Sequence, residues 1–276
     1  MDRQERQRAQ EREERTTPPR LEILSPDYYD AIIFELGALV EDLTEVQFQS
    51  WKEVFDTLLR TREGRDFSPF TREEFHHHIE GRPRIQAIES FLGSRAIALP
   101  GGRDLHHLDE ALQHNTESLY GLAQMREVAL RKHIESGHLK LRPGADELLH
   151  NLVRANLPLA MVSPSRMATR IAQILKIEPL FDQIIDGRAF EGKDPLDEID
   201  LDLFAEALTR LGTTASATAV IEDEGPHLSD SRLNSFALTA VIGSNDRDSR
   251  KSLLRRGADL VLSDLNGFHV RPGPPT

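Results

Sequence analysis

The stretch Asp30-Ala-Ile-Ile-Phe-Glu-Leu-Gly-Ala-Leu-Val-Glu-Asp42 decides how this chain reads. Ala31, Ile32, Ile33 and Phe34 form a short apolar run, the pattern of a strand covered on both faces. The run delivers one carboxylate, Glu35, and then a small-residue turn at Gly37 and Ala38. In α/β folds ligands collect beyond the carboxyl ends of parallel strands, so such a strand presents a group that can react.

Outward from this strand the pattern changes character. Val46, Phe48, Trp51, Val54, Phe55, Leu58 and Leu59 recur at three- and four-residue spacing, which predicts a helix from Thr44 to about Arg62. Pro69 and Thr71 open another, with Glu73 and Glu74 in its first turn. That helix carries His76-His77-His78, and three successive histidines on a helix point apart, so they do not predict a shared metal. Further helices are expected near 85–92, 107–119 and 121–137. Residues 44–140 therefore read as an all-helical block without a strand.

From residue 143 onward helices and strands alternate, with strands at 157–162, 181–185, 217–221, 237–242 and 260–262. Alternation of this kind predicts a Rossmann-like parallel sheet with helices on both faces, into which the helical block is inserted as a cap. The expected domains are an α/β core from 28–43 and 141–268, and a helical cap from 44–140. A charged tail precedes them at 1–27, and a second tail follows at 269–276.

Composition narrows the function. The chain has 276 residues, no cysteine and a net charge of −12. Disulfides and thiolate chemistry are excluded, and a nucleic-acid partner is not expected. No apolar run approaches the roughly 18 residues that cross a bilayer, and no secretory pattern stands at the amino terminus. A cytoplasmic protein without a membrane partner is the expectation. Residues 1–20 are nearly all charged or Gln and offer at most a partner-binding helix.

The strand ends supply the candidate chemistry: Glu35, Ser163 and Ser165, Lys193, and the pair Glu222 and Asp223. Carboxylates converging on one point need a cation between them, and hard oxygen ligands favour Mg²⁺. Mg²⁺ with a lysine and a hydroxyl makes a phosphate-binding set and points to phosphoryl transfer.

In order and wording these segments resemble the haloacid dehalogenase-like (HAD-like) superfamily, in its β-phosphoglucomutase-like branch with a helical cap. Phe34-Glu-Leu-Gly-Ala-Leu-Val-Glu-Asp-Leu43 lies in the register of that family's F-D-x-D-G-x-x-x-D-T motif. Gly81-Arg-Pro-Arg84, Ser90-Phe-Leu-Gly-Ser-Arg95, Val162-Ser-Pro-Ser165, Gly192-Lys193, Ile221-Glu-Asp223 and Gly257-Ala-Asp-Leu-Val261 match its later motifs in order. The resemblance covers about residues 29–268. It implies that Glu35 stands at the nucleophile and Gly37 at the general acid/base. Ser163 and Lys193 would bind the phosphoryl oxygens, and Glu35, Glu222 and Asp223 would hold Mg²⁺. In the cap, Arg84 and Arg126 would meet a small phosphorylated substrate, with Arg84 at the distal phosphate of a sugar bisphosphate.

Departures from the family pattern divide the functional expectation. The usual aspartates are Glu35 and Gly37, the cap histidine is Gln47, and the cap's R-K-N reads Met125-Arg126-Glu127. The segment after Lys193 is also longer and more acidic than usual. One reading is a protein that keeps Mg²⁺ and phosphate-ester binding while catalysis is impaired or lost. The other is an active phosphatase on a small phosphoester, with Glu35 in an altered role and mutase activity disfavoured.

Overall fold

The computed structural model describes residues 20–80, 82, 84–101, 117–137, 139–190, 203–224, 235–243 and 246–273. Lys193, Gly81, Pro83 and most of the expected helix at 107–119 lie outside the described residues. The chain divides into two compact units. One is built from the described parts of 1–41, 140–191 and 201–276, the other from the described parts of 42–139.

The first unit is organised on β2 (Ala31–Glu35). Its residues Ala31, Ile32, Ile33 and Phe34 are fully buried, as a central parallel strand requires. On one side β2 pairs with β5 (Leu159–Val162), on the other with β7 (Thr218–Asp223), both parallel. With β6 (Gln183–Ile185), β8 (Leu238–Ile242) and β9 (Leu260–Leu262) the order is β6-β5-β2-β7-β8-β9 among the described residues. One face buries Ile33, Val162, Ile185, Val220 and Val241 against Leu203, Ala207 and Leu253 of the helices Leu203–Leu211 and Arg247–Arg255.

Several short elements were not legible beforehand. After β2 the chain makes one helical turn, Leu36–Leu39, and then β3 (Val40–Glu41). β3 pairs antiparallel with β4 (Lys140–Leu141), so the block expected to hold no strand ends on one. Ile23–Leu24 (β1) and His269–Val270 (β10) were expected within the flanking tails. They pair in parallel instead, with Ile23 and Leu24 buried. At Gly144, φ is 83°, and a Cβ there would stand 2.5 Å from the Asn266 backbone nitrogen. Glycine is therefore needed where the helix Ala145–Arg154 begins.

The second unit is helical. Leu43–Glu63 packs along Leu119–Glu135, with Arg84–Ser94 against the latter. Its core is aromatic: Phe55 lies 4.1 Å from Phe91 and 5.3 Å from Trp51 between ring centroids, and Phe70 joins them. Thr71 caps the next helix in a reciprocal capping box with Glu74. Phe75–Ile79, expected as α-helix, is a π-helical turn. His76, His77 and His78 turn to three different partners, Glu80, the Glu73 carbonyl and Ser90, at 2.7, 2.8 and 3.0 Å.

Phe55 is fully buried at the centre of this cluster, whereas Val128 is 53% exposed. Replacing Phe55 by Ala should cost about 3–5 kcal/mol in denaturant unfolding, and Val128→Ala less than about 0.5 kcal/mol.

Candidate active site

The register of β2 brings three strand ends together. Glu35 stands opposite Val162, so Ser163 follows one residue later on the neighbouring strand. On the other side Phe34 stands opposite Ile221, which places Glu222 and Asp223 next to Glu35. Three of the four expected strand-end groups thus share one edge of the sheet. The fourth, Lys193, lies outside the described residues.

Glu35 does more than end its strand. It caps the helical turn Leu36–Leu39, its Oε2 accepting the Gly37 backbone N–H. A Cβ added at Gly37 would stand 2.7 Å from Glu35 Oε2, and Asp223 Oδ2 would be closer still. Both distances are below those that real Cβ atoms keep. The two carboxylates occupy the space where a side chain at residue 37 would begin, so glycine there accompanies the longer side chain at 35.

A cation meets the next peptide group along the chain. Arg142 donates from Nε to the Gly37 carbonyl oxygen at 2.7 Å, and its backbone N–H donates to Leu39 at 2.8 Å. Arg142 did not stand out in the sequence. Its only signal is its place before Pro143-Gly144, where the chain re-enters the first unit.

Electrostatics at Glu35 follow from crowding. Glu35 is only partly buried by surface area, yet protein packs densely around its carboxyl. Desolvation pushes its pKa well above the ordinary 4.5, and the charges of Asp223 and Glu222 push the same way. The Gly37 and Leu36 amides pull it down without prevailing. Glu222 is 3% exposed. Among the described residues no three His, Asp or Glu side chains are grouped as a metal set. Asp223 is the carboxylate that stands with Glu35 beside Gly37, and the charge of Glu222 also reaches Glu35.

Ser163 is buried, with 3% exposure. Its backbone N–H donates to the Ile185 carbonyl at 3.0 Å, and its Oγ accepts the Ser165 N–H at 3.3 Å. The hydroxyl therefore shapes its own turn and keeps its proton to donate. Arg84 and Arg126 lie in the helical unit. Arg84 pairs with Glu127 at 3.5 Å, and Arg126 donates to Gln47 Oε1 at 2.8 Å.

Two outcomes follow. The folded state binds a proton at Glu35 more tightly than the unfolded chain, so this group's contribution to stability is complete below pH 4.5 and is lost as pH rises through the folded pKa. Glu35→Gln should flatten that decline in unfolding free energy measured across pH. Gly37→Ala should displace the two carboxylates and break the Glu35 cap, at about 1–2 kcal/mol. In a Glu35→Asp background it should cost less, and a double-mutant cycle by denaturation reads the coupling.

Comparison with known proteins agrees with this architecture. The model of the haloacid dehalogenase-like hydrolase family matches residues 35–227. A β-phosphoglucomutase of Mycobacterium bovis is 29% identical over 245 residues, covering 87% of this chain and 91% of that protein. The Bacillus subtilis β-phosphoglucomutase is 25% identical over 243 residues, covering 86% and 93%. Among solved structures, a CbbY mutant from Rhodobacter sphaeroides in complex with xylulose-1,5-bisphosphate superposes with a TM-score of 0.63. It has 19% identity and covers 88% of this chain and 97% of that one. The chain belongs to the haloacid dehalogenase-like hydrolase family, in its β-phosphoglucomutase-like branch.

Proposed function

We propose that the protein binds small phosphate esters at the Glu35 end of its sheet and transfers their phosphoryl group poorly or not at all. The observation that carries this reading is the engagement of Glu35 with Gly37. The carboxylate at the nucleophile position is bonded to its own turn and crowded by Asp223, and residue 37 has no side chain to move a proton. A carboxyl whose pKa is pushed upward is also a poorer nucleophile near neutral pH, because more of it is protonated.

Magnitudes support impairment. One added methylene moves a carboxylate by about 1 Å, and a misplacement of that size can cost on the order of 10²-fold. A missing general acid/base costs roughly 10²–10⁴-fold more. Binding is affected less. The Ser163 hydroxyl can donate to a phosphoryl oxygen, and Lys193 is assigned to the phosphate through the family resemblance.

Mg²⁺ fits the donors present. Glu35 and Asp223 bring hard carboxylate oxygens to one point, and their repulsion is what a divalent cation relieves. Bound there, it would supply positive charge against the phosphate oxygens.

One observation favours a second reading, an active phosphatase in an altered mode. A carboxyl with a raised pKa carries a proton that it can give to a leaving oxygen, so Glu35 would serve as acid rather than nucleophile.

Mg²⁺ together with sugar phosphates should raise Tm in a concentration-dependent way. Turnover of an activated phenyl phosphate should stay below about 10⁻² s⁻¹, against the 1–10³ s⁻¹ usual for enzymes. Combining Glu35→Asp with Gly37→Asp should raise it strongly. Turnover in the ordinary range, abolished by Asp223→Ala, would overturn the impaired reading. A loss of native activity in the combined variant would favour the second.

A further inference from the structure

The turn Leu36–Leu39 is too short to hold its shape alone. Fixing so few residues costs more conformational entropy than backbone bonds within them return. Gly37 adds to that cost, because glycine has the most backbone freedom to lose. Groups outside the turn therefore decide whether it persists. At its start Glu35 Oε2 accepts the Gly37 N–H. At its end Arg142 serves two carbonyls, Gly37 from Nε at 2.7 Å and Leu39 from its backbone N–H at 2.8 Å. Both belong to the carbonyls that a helix leaves without a partner of its own.

Arg142 reaches this turn from 105 positions away, and its neighbours set its aim. The antiparallel pairing of β3 with β4 puts Leu141 opposite Val40, which brings Arg142 level with Leu39. Pro143 follows and favours extended backbone at Arg142. The Arg142 carbonyl accepts the Ala145 N–H at 3.0 Å. With its backbone tied on both sides, the guanidinium holds the Gly37 carbonyl steadily. Both peptide groups that flank Gly37 are then fixed, one by Glu35 and one by Arg142, and so are the torsions between them.

We propose that Arg142 is the positioning residue of the Glu35 site. It braces the turn so that the Gly37 N–H presents the Glu35 carboxylate beside Asp223, in the arrangement that takes Mg²⁺. Arg142 acts through the turn rather than on the ion. The proposal rests on the Mg²⁺ reading above and adds the group that orders its ligands. Residues that orient metal ligands from outside commonly change affinity by about 10–100-fold.

The test compares the full chain with Arg142→Ala and Arg142→Lys by two readouts. One is calorimetric titration with Mg²⁺ alone. The other is the amide resonance of Gly37 in protein carrying isotope-labelled glycine, assigned by its loss in Gly37→Ala. Arg142→Ala should weaken Mg²⁺ binding by about tenfold or more and move the Gly37 amide proton upfield, as its bond to Glu35 loosens. Guanidinium ion at a sub-denaturing concentration should restore both, which a general loss of stability would not allow. Arg142→Lys keeps the charge without the planar donor and should also bind Mg²⁺ more weakly, so it decides the matter if the alanine variant does not fold. Unchanged Gly37 resonance in the variants, or Mg²⁺ affinity within about twofold of the full chain, would overturn the proposal while leaving metal binding intact. Failure of the unaltered chain to bind Mg²⁺ would overturn both.

Discussion

Everything at the candidate site depends on β2 being paired on both sides and covered on both faces. A strand with Ala31, Ile32, Ile33 and Phe34 fully buried cannot slide by one residue without moving its side chains to the other face. Its register with β5 and β7 is therefore fixed, and with it the meeting of Glu35, Ser163 and Asp223. The same rigidity leaves the acidic groups no means of separating. A carboxylate at the end of this strand must lie beside those of β7. The sheet supplies the positioning and also the repulsion that raises the Glu35 pKa.

The turn after β2 shows how that repulsion is contained. Gly37 gives its N–H to Glu35 and its carbonyl to Arg142, so the two peptide groups that flank one residue meet a carboxylate and a cation. One Glu35 oxygen is thereby held by the backbone of its own turn.

The sequence was informative where side-chain pattern reports structure directly. The apolar run at 31–34, the three- and four-residue spacing at 46–59 and the alternation after 143 each reflect burial, so the parallel sheet and the helical unit were legible. Short elements were not. β1, β3, β4 and β10 have two residues each, too few for a period, and their pairing is made by backbone groups common to every residue. The π-helical turn at 75–79 was read as α-helix because one extra residue in a turn leaves the surrounding pattern unchanged. At the site, residue types marked Glu35, Ser163, Glu222 and Asp223 correctly as strand-end groups. They could not tell that Glu35 folds back on Gly37 or that Glu127 reaches Arg84 from 43 positions away. Each of these is set by where a side chain turns, which the order of residues does not record.

The space beside Gly37 also ties three positions together. The first atom of a side chain at 37 would meet the ends of both the Glu35 and the Asp223 side chains. Both are flexible ends, so a residue larger than glycine is admitted there only if the two carboxylates swing aside together, and the Gly37 N–H is what holds the end of Glu35 in place. Residues 35, 37 and 223 are therefore coupled, and a substitution at one changes what the other two tolerate.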